Sequence, residues 1–355
     1  MKTKAAVLRN LNKPLVIEEL SIPELKEGQV LVKVVSSGIC HSQLNEIKGR
    51  RGPDRFLPHT LGHEGSGIVQ ATGPGVSKVK AGDHVVLTWI KGTGIDAPAI
   101  AYTGSDGGIV NSGAISTFME YAVVSENRVV RVPKEIAFKE ASLLGCAIPT
   151  GMGIVMNTAK LQKGGSVAIF GLGGIGLSAL LAADIMQAAV IIAIDINEEK
   201  LKQARSLGAT NVINANQQDS LAAVLEITRG AGVDCAIEAA GLRQPMETAF
   251  KAVRNNGGLC VLAGNLAHGE RISIDPLDLI KGKRVVGTWG GETQPDRDIP
   301  KYVDLYLAGK LKLSRLITHV YALENINEAL QQLEEGNVGR ALIGMEYKTS
   351  AISPH

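Results

Sequence analysis

Cysteine is scarce in this sequence, with four residues in a chain of 355. Small secreted domains depend on dense disulfide networks, and four widely spaced cysteines cannot form such a scaffold. Each cysteine is therefore expected to be a core residue, a metal ligand or a nucleophile.

An excess of one charge is also lacking, because 37 basic and 35 acidic residues leave a formal net charge of +2. The densest basic groups, residues 48–51 and 281–284, contain no aromatic residue between their charges. Nucleic-acid-binding surfaces combine a basic background with interleaved aromatic side chains, so we expect no nucleic-acid partner.

A membrane-spanning run is missing as well. The most apolar stretch, residues 167–194, contains four glycines, Asp184 and Gln187, which divide it into a strand, a turn, a helix and a second strand. The first seven residues, MKTKAAV, lack the apolar core of a secretory leader. These features predict a cytoplasmic protein with no membrane partner.

Glycine, by contrast, is abundant at 41 of 355 residues. It has no G-X-Y period, so the excess indicates tight turns and close backbone approaches. With 45% hydrophobic and 20% charged residues, a chain of this length is expected to form two folded domains.

The chain shows two successive patterns. Up to about residue 146, short β-type runs separated by Gly and Pro predict an all-β or barrel-like module; they are residues 5–8, 15–19, 30–36, 67–71, 84–88, 118–124 and 129–132. Residues 88–117 have no regular periodicity and are expected to form a long loop or lobe.

Between residues 167 and 263, apolar strands alternate with amphipathic helices, a pattern typical of a doubly wound parallel sheet. The predicted strands are residues 167–170, 190–194, 212–213, 235–238 and 259–263. Two further helices (299–308 and 326–335) and a β-type run (341–345) are expected to return to the first module.

A dinucleotide-binding turn follows the first of these strands. Gly171 would allow the tight turn, Gly173 a close approach to pyrophosphate and Gly176 the packing of the helix on the strand, with Gly174 and Ile175 between them. Asp195 ends the next strand and would bind the adenosine ribose while repelling a 2′-phosphate, which predicts NAD over NADP. The alternative is that Asp195 is only a solvated acid at a strand end.

Three residues of metal-ligand type lie in glycine-flanked turns: Cys40, His63 and Cys146. Two thiolates and an imidazole would leave one position open on zinc, the arrangement of a catalytic site. No spacing rule links residues this far apart in the chain, and a cysteine near an apolar strand is more often a core residue. Taken alone, the three residues leave both interpretations open.

The motifs resemble, in their order along almost the whole chain, those of zinc-dependent alcohol dehydrogenases of the medium-chain dehydrogenase/reductase superfamily. They are Gly38-Ile39-Cys40-His41-Ser42, Gly62-His63-Glu64-Gly65-Ser66-Gly67, Gly82-Asp83-His84-Val85, Gly145-Cys146-Ala147-Ile148-Pro149-Thr150-Gly151, Gly171-Leu172-Gly173-Gly174-Ile175-Gly176 and Asp195-Ile196-Asn197.

The resemblance implies an α/β chain. A GroES-like β-barrel-type catalytic domain (residues 1–147 and 289–355) would be split around a Rossmann NAD-binding domain with a doubly wound parallel sheet (148–288), with the active site in the cleft between them.

The resemblance also assigns roles to single residues. Cys40, His63 and Cys146 would bind the catalytic zinc, and Ser42 would accept the proton of the substrate alcohol. Glu64 would be an acid that enters the metal shell transiently or a supporting structural carboxylate.

Five further residues would bind the cofactor. His41 would be a cation near the pyrophosphate or a neutral supporting residue, and Thr150 would lie under the nicotinamide. Lys200 would lie near the adenosine ribose with Asp195, and Arg340 would bind the pyrophosphate.

The sequence departs from the family pattern in three places. Residues 88–117 contain no cysteine, so we expect one catalytic zinc per chain and no structural zinc. Asn45 replaces a histidine that ends the proton relay in some relatives, which leaves a path through ribose and water or another end point. Gln43 replaces an acid that supports the histidine ligand, so the orientation of His63 is in question.

Seven remaining residues are assigned no chemistry or a packing role. Cys235 and Cys260 are expected in the core of the nucleotide domain. No ligand role is assigned to His59, His84, His268, His319 and His355.

The predicted function is therefore interconversion of an alcohol and its aldehyde or ketone with NAD. The resemblance also implies a homodimer or homotetramer, and the strand at residues 284–287 would supply the edge that joins the subunits. Trp89 and Tyr102 are candidates to shape the substrate entrance, and Trp289 either lines the site or packs internally. Three alternatives are a polyol or sugar dehydrogenase, which usually has Glu in place of Cys146, a zinc-free reductase, and a non-catalytic nucleotide-binding protein.

Overall fold

The computed structural model describes residues 1–346, and His355 lies outside the described residues. The chain forms two compact units. The first comprises Met1–Cys146 and the segment from Gln294 onward, and the second comprises Ala147–Thr293.

Strands make up most of the first unit and the centre of the second. In chain order they are β1 (Lys2–Leu8), β2 (Val16–Ser21), β3 (Gln29–Gly38), β4 (His59–Thr60), β5 (Glu64–Thr72), β6 (His84–Thr88), β7 (Ala101–Thr103), β8 (Ile109–Asn111), β9 (Tyr121–Ser125), β10 (Val129–Arg131), β11 (Ser166–Phe170), β12 (Val190–Asp195), β13 (Asn211–Asn214), β14 (Cys235–Glu238), β15 (Leu259–Leu262), β16 (Arg284–Gly287), β17 (Ile317–Ala322) and β18 (Arg340–Gly344).

The helices are shorter on average than those of a helical bundle. They are α1 (His41–Ile47), α2 (Phe138–Leu143), α3 (Ala147–Gly153), α4 (Gly174–Ile185), α5 (Glu198–Ser206), α6 (Ser220–Ile227), α7 (Arg243–Ala252), α8 (Pro276–Ile280), α9 (Pro295–Leu307) and α10 (Ile326–Glu334). No helix among residues 1–346 has the length and apolar character needed to cross a bilayer.

The first unit contains a closed barrel of strand order β1-β2-β7-β8-β4 and a sheet of order β10-β6-β5-β3-β18-β17, with β9 also paired to β3. Strand β3 is central because it pairs with β5, β9 and β18. Its sequence QVLVKVVSSG is almost wholly buried, as expected for a β-branched strand covered on both faces.

Residues 88–117 were expected to form a long loop or a lobe, and the structure shows a lobe with strands of its own. It contains β7 and β8, which form a hairpin and help close the barrel. Tyr102 on β7 is 1% exposed, and its hydroxyl accepts a hydrogen bond from Val123 N at 2.8 Å, so the suggested role of Tyr102 at a substrate entrance is wrong. Strands of three residues are too short to show a period-two pattern.

The carboxyl-terminal segment belongs to the first unit. Strand β18 pairs antiparallel with β3, with Leu342 opposite Gly38. The neighbouring strand β17 was not predicted, because its sequence ITHVYA mixes polar and apolar residues at the edge of the sheet.

The second unit has the predicted doubly wound architecture. Its six strands pair in parallel in the order β13-β12-β11-β14-β15-β16. The strand order reverses between β11 and β14, and in such sheets ligands bind beyond the carboxyl ends of the strands at this point. Cys235 and Cys260 are 3% and 0% exposed, which confirms their predicted place in the core.

The lobe at residues 88–117 contains no cysteine, and two carboxylates connect it to the rest of the first unit. Glu126 accepts hydrogen bonds from the backbone N–H groups of Ser77, Lys78 and Ile95 at 2.7–2.9 Å. Asp296 accepts bonds from both the N–H and the hydroxyl of Thr93. Burial alone would raise the pKa of Glu126, but the three backbone bonds lower it below the usual value.

We expect Glu126→Ala to lower the free energy of unfolding by about 3 kcal/mol, because three N–H groups lose their acceptor. The measurement is urea denaturation, with Glu135→Ala as the control, since Glu135 is exposed. The low pKa of Glu126 also means that its contribution is present at neutral pH and is lost as the pH falls through that pKa. Equal stability of the two variants at pH 7 would contradict this account of the lobe.

Candidate metal centre and nucleotide site

The first unit brings the three predicted metal ligands together. One ligand atom each from Cys40, His63 and Cys146 lies within 4.8 Å of the other two. Zinc bonds of about 2.0–2.3 Å in a tetrahedral arrangement separate neighbouring ligand atoms by about 3.3–3.8 Å. The three residues therefore fit a zinc ion with small side-chain adjustments.

Strand register explains why Cys40 and His63 meet. Ser37 near the end of β3 pairs with Gly65 near the start of β5. The residues that follow β3 and precede β5 must then lie side by side, and these include Cys40 and His63.

Cys146 arrives from a third segment through the close packing of Gly145. A Cβ atom at Gly145 would lie 2.3 Å from the carbonyl oxygen of Leu87 and 2.7 Å from Cβ of Glu64. Thr88 also donates a hydrogen bond to the Gly145 carbonyl at 2.7 Å. Only glycine allows this segment to approach β5 and β6 closely enough to place Cys146 beside the other two ligands.

The electrostatics of the group favour a thiolate. The hydrogen bond from Cys146, followed by the effects of His63 and Arg340, lowers the pKa of Cys40 well below the usual thiol value despite its loss of solvent. A deprotonated sulfur is the form that binds zinc.

Gln43 contacts both the thiol segment and the histidine ligand. Its Oε1 accepts a hydrogen bond from Cys40 N at 2.8 Å, and its Nε2 lies 3.3 Å from Nδ1 of His63. The amide thus occupies the position from which an acid would orient the imidazole, and it reaches the ring directly.

Ser42 lies two residues after Cys40, in the first turn of α1. Its Oγ atom is buried and has no hydrogen-bond partner. A buried hydroxyl without a partner is costly unless a ligand completes it. His41, at the first position of the same helix, is exposed.

Glu64 and Arg340 form a buried ion pair beside the ligands. Glu64 is fully buried, Arg340 is 5% exposed, and the guanidinium Nη2 contacts the carboxylate. Arg340 also donates a hydrogen bond to the Ile39 carbonyl at 3.0 Å, while its Nε has no partner. The Glu64 carboxylate is thus held by Arg340, and Arg340 links β18 to the segment that carries Cys40.

The second unit shapes the glycine-rich turn as a phosphate cradle. Gly171 has φ of +92°, which favours glycine, and a Cβ at Gly176 would lie 1.9 Å from the Gly171 carbonyl. A Cβ at Gly173 would meet nothing within 4 Å. The open space in front of Gly173, at the N-terminus of the twelve-residue helix α4, fits a pyrophosphate group.

Asp195 lies at the carboxyl end of β12 and stabilises the same turn. Its carboxylate accepts hydrogen bonds from Leu172 N at 2.7 Å, Ile196 N at 2.8 Å and Asn197 N at 3.0 Å. Lys200 follows in α5 and is half-buried. The carboxylate is therefore fixed beside the glycine turn, where a ribose of a bound dinucleotide would lie.

Two other residues clarify earlier expectations. The Oγ1 of Thr150 in α3 is buried without a hydrogen-bond partner, so it has the capacity to bind a ligand. Trp289 is 78% exposed, which argues against an internal packing role for its ring.

A second group of possible metal donors was missed in the sequence. His59, assigned no ligand role, lies within 4.8 Å of Glu46 and Asp54. The Nε2 of His59 is 2.8 Å from Asp54, and Glu46 pairs with Arg51. These contacts already satisfy the three side chains, and we assign no metal to them.

Sequence reasoning also missed Glu238, a fully buried acid at the end of β14. The available signal was an acid closing an apolar strand in the nucleotide half, as Asp195 does two strands earlier in the chain.

Comparisons with known proteins agree with this geometry. The family described as "Alcohol dehydrogenase GroES-like domain" matches residues 26–134, and "Zinc-binding dehydrogenase" matches residues 174–308. The chain is 34% identical to S-(hydroxymethyl)glutathione dehydrogenases from Synechocystis sp. and from Escherichia coli, over 97% of this chain and 100% of each relative.

Two solved structures share the fold of this chain over almost its whole length. Benzyl alcohol dehydrogenase from Acinetobacter calcoaceticus has a TM-score of 0.88 at 34% identity, covering 97% of this chain and 99% of that one. An alcohol dehydrogenase zinc-binding domain protein from Burkholderia ambifaria has a TM-score of 0.90 at 34% identity, covering 98% and 100%.

We expect the purified protein to contain about one zinc per chain, because residues 88–117 offer no thiolates for a second ion. Cys146→Ser should lose most of this zinc, since it removes one of three ligands. Elemental analysis by mass spectrometry measures the ratio. Cys235→Ala, at a buried thiol of the second unit, should keep the metal. Two zincs per chain, or full zinc in Cys146→Ser, would show that the ligand assignment is wrong.

Proposed function

The chain belongs to the zinc-dependent alcohol dehydrogenase family of the medium-chain dehydrogenase/reductase superfamily, and from this premise we propose that it interconverts an alcohol and its aldehyde with NAD. The observation that carries the proposal is the unpartnered, buried hydroxyl of Ser42 two residues from Cys40 in a Cys-His-Cys group. A hydroxyl in this place supplies the proton acceptor that alcohol oxidation needs.

Cys40, His63 and Cys146 would hold the zinc, and the glycine turn and Asp195 would hold the dinucleotide. When bound, zinc supplies a Lewis acid that lowers the pKa of a substrate hydroxyl, and the nicotinamide supplies the hydride acceptor. Ser42 accepts the hydrogen bond of the substrate hydroxyl and takes its proton. Asn45 has no basic group, so the proton taken up by Ser42 would leave the site to water.

The buried pair of Glu64 and Arg340 supports the metal site in this mechanism. Arg340 neutralises the Glu64 carboxylate, and it also binds the carbonyl next to Cys40. The pair therefore fixes the backbone on which Cys40 and Ser42 lie. His41 is exposed at the start of α1, and we propose that it binds a phosphate of the cofactor.

The substrate class follows from what two kinds of relative share. Their names, S-(hydroxymethyl)glutathione dehydrogenase and benzyl alcohol dehydrogenase, both describe a CH₂OH group attached to a bulky substituent. We propose a primary alcohol of this kind as the substrate of this chain. Cys146 in place of a glutamate disfavours the polyol alternative.

A homodimer or homotetramer is proposed from the surface of the second unit. Strand β16 is an edge strand, and the helix before it exposes Leu277, Leu279 and Ile280 by 48%, 47% and 80%. An open edge beside apolar side chains favours strand pairing with a second copy. A cytoplasmic location is proposed because the two zinc thiolates need reducing conditions.

The activity test uses the zinc-loaded protein with NAD and benzyl, short primary, secondary and polyol alcohols. Primary alcohols are expected to give the highest kcat/KM. Ser42→Ala should lower kcat about 100-fold or more, while Ser42→Thr, which keeps the hydroxyl, should lose far less. NADH binding, followed by fluorescence, should stay unchanged in both variants. Full turnover in Ser42→Ala would refute the assigned proton acceptor.

The cofactor preference is tested at Asp195. We expect NAD to be preferred over NADP, and Asp195→Asn to shift the ratio of the two kcat/KM values toward NADP by about 10-fold or more, because a charge that repels phosphate is lost. Glu199→Gln is the matched control, since Glu199 is exposed and its carboxylate pairs with Lys202 in the same helix. A preference of the unmodified protein for NADP would overturn the assignment.

A further inference from the structure

A buried acid, Glu238, ends β14, the first strand in the second half of the parallel sheet. Glu238 is the last residue of β14, is 0% exposed, and lies at the carboxyl edge where sheets of this type bind their ligands. Its main-chain partners are Phe170 on β11 and Leu262 on β15, so it occupies the middle of the sheet. No step of the proposed mechanism uses this carboxyl group.

The carboxylate of Glu238 fixes the turn that follows its own strand. Oε1 accepts hydrogen bonds from Ala240 N at 2.9 Å and Gly241 N at 2.7 Å. Oε2 is buried and has no hydrogen-bond partner. One oxygen of the carboxyl group thus accepts both bonds from the turn at residues 240 and 241.

This turn lies between two glycine segments with no spare room. A Cβ at Gly171 would lie 2.7 Å from Ala240 N, and a Cβ at Gly264 would lie 2.2 Å from Gly241 N and 2.5 Å from Oε2 of Glu238. The segments after β11, β14 and β15 therefore meet around this one carboxyl group. A shift of the turn must move the neighbouring segments with it.

Each half of the sheet has an acid that ends a strand and accepts hydrogen bonds from the turn that follows. In the first half, β11–β13, Asp195 ends a strand and accepts hydrogen bonds from the next turn and from Leu172. In the second half, β14–β16, Glu238 does the same for residues 240 and 241. Folds of this class bind one mononucleotide on each half, which gives the adenosine to the first and the nicotinamide to the second.

Resting on the function proposed above, we propose that Glu238 is a positioning residue for the nicotinamide half of the cofactor, and that its ionised form is the one that holds the turn at residues 239–242 in the binding shape. Glu238 does not act on the substrate. It sets the geometry of the backbone that receives the cofactor.

The electrostatic surroundings make this ionisation relevant near neutral pH. Burial raises the pKa of Glu238 to about 7, against the opposing effect of the backbone N–H groups. Cys260 is the titratable neighbour from β15, and burial keeps its thiol neutral by raising its pKa. On α7, which packs against β14, Arg243 and Lys251 are exposed, and Glu247 accepts a bond from Ser273 N.

An ionised acceptor makes stronger hydrogen bonds than a neutral one. The bonds to Ala240 and Gly241 are therefore stronger above pH 7 than below it, and the turn is held more firmly. Replacing the acid by an amide of the same shape removes this dependence and leaves the packing in place.

The experiment compares NADH with AMP, which carries only the adenosine half, on the full chain. At pH 8, Glu238→Gln should raise the Kd of NADH about five-fold or more and leave the Kd of AMP unchanged. At pH 6, where the wild-type acid is mostly protonated, the ratio of the NADH Kd values of variant and wild type should fall below about two. Glu226→Gln, at an exposed acid of the same unit, is the control and should change neither Kd.

The outcomes are separable. Equal weakening of NADH and AMP, no weakening of NADH, or a Kd ratio that is the same at both pH values would overturn the role of Glu238. If wild type binds neither nucleotide, the proposed function fails and this proposal fails with it. Should Glu238→Gln not fold, Glu238→Asp, which keeps the charge but withdraws the oxygens, must weaken NADH and spare AMP at pH 8.

Discussion

The pairing of β3 with β5 is the constraint on which the candidate active site depends. Ser37 opposite Gly65 places the end of one strand beside the start of the other, so Cys40 and His63 meet although 23 residues separate them. A slip of one residue would reverse the face of every side chain on the slipped strand. The same strand β3 also receives β18, which brings Arg340 to Glu64. One ladder thus assembles the thiol, the imidazole, the serine and the ion pair behind them.

Carboxylates that are buried or partly buried organise the loops around this framework. Glu126, Asp195 and Glu238 each accept hydrogen bonds from two or three backbone N–H groups of irregular segments. Backbone groups away from helices and strands need such partners, because burying them unpaired costs free energy. The environment then decides the charge: the pKa of Glu126 is lowered by its three bonds, whereas burial raises that of Glu238. Similar side chains therefore serve as a fixed anchor in one unit and a titrating one in the other.

Sequence reasoning succeeded where the signal was local and periodic. The strands of the nucleotide half were predicted almost to their ends, and β14 and β16 match their predicted bounds, because buried parallel strands are short apolar runs between glycine-rich turns. Short or edge strands such as β7 and β17 gave no such signal. For the site, the candidate ligands could be chosen by residue type, but no spacing in the sequence predicts that Cys146 lies beside Cys40. That proximity depends on the packing of Gly145 against β5 and β6, which is a property of three dimensions.

The contacts that hold the lobe at residues 88–117 do not involve the candidate metal ligands. A lobe held by four thiolates would fold only with its zinc, because the binding energy of a structural zinc is folding energy. Here the same length of chain is held by a hairpin, by Glu126 and by the contact of Asp296 with Thr93. None of these bonds involves a metal, so removing zinc from the Cys-His-Cys group leaves the lobe its full set of contacts. If Cys40 and Cys146 hold a zinc ion, as proposed, that ion would serve the reaction and not the stability of the lobe, while the other two thiols, Cys235 and Cys260, lie in the core.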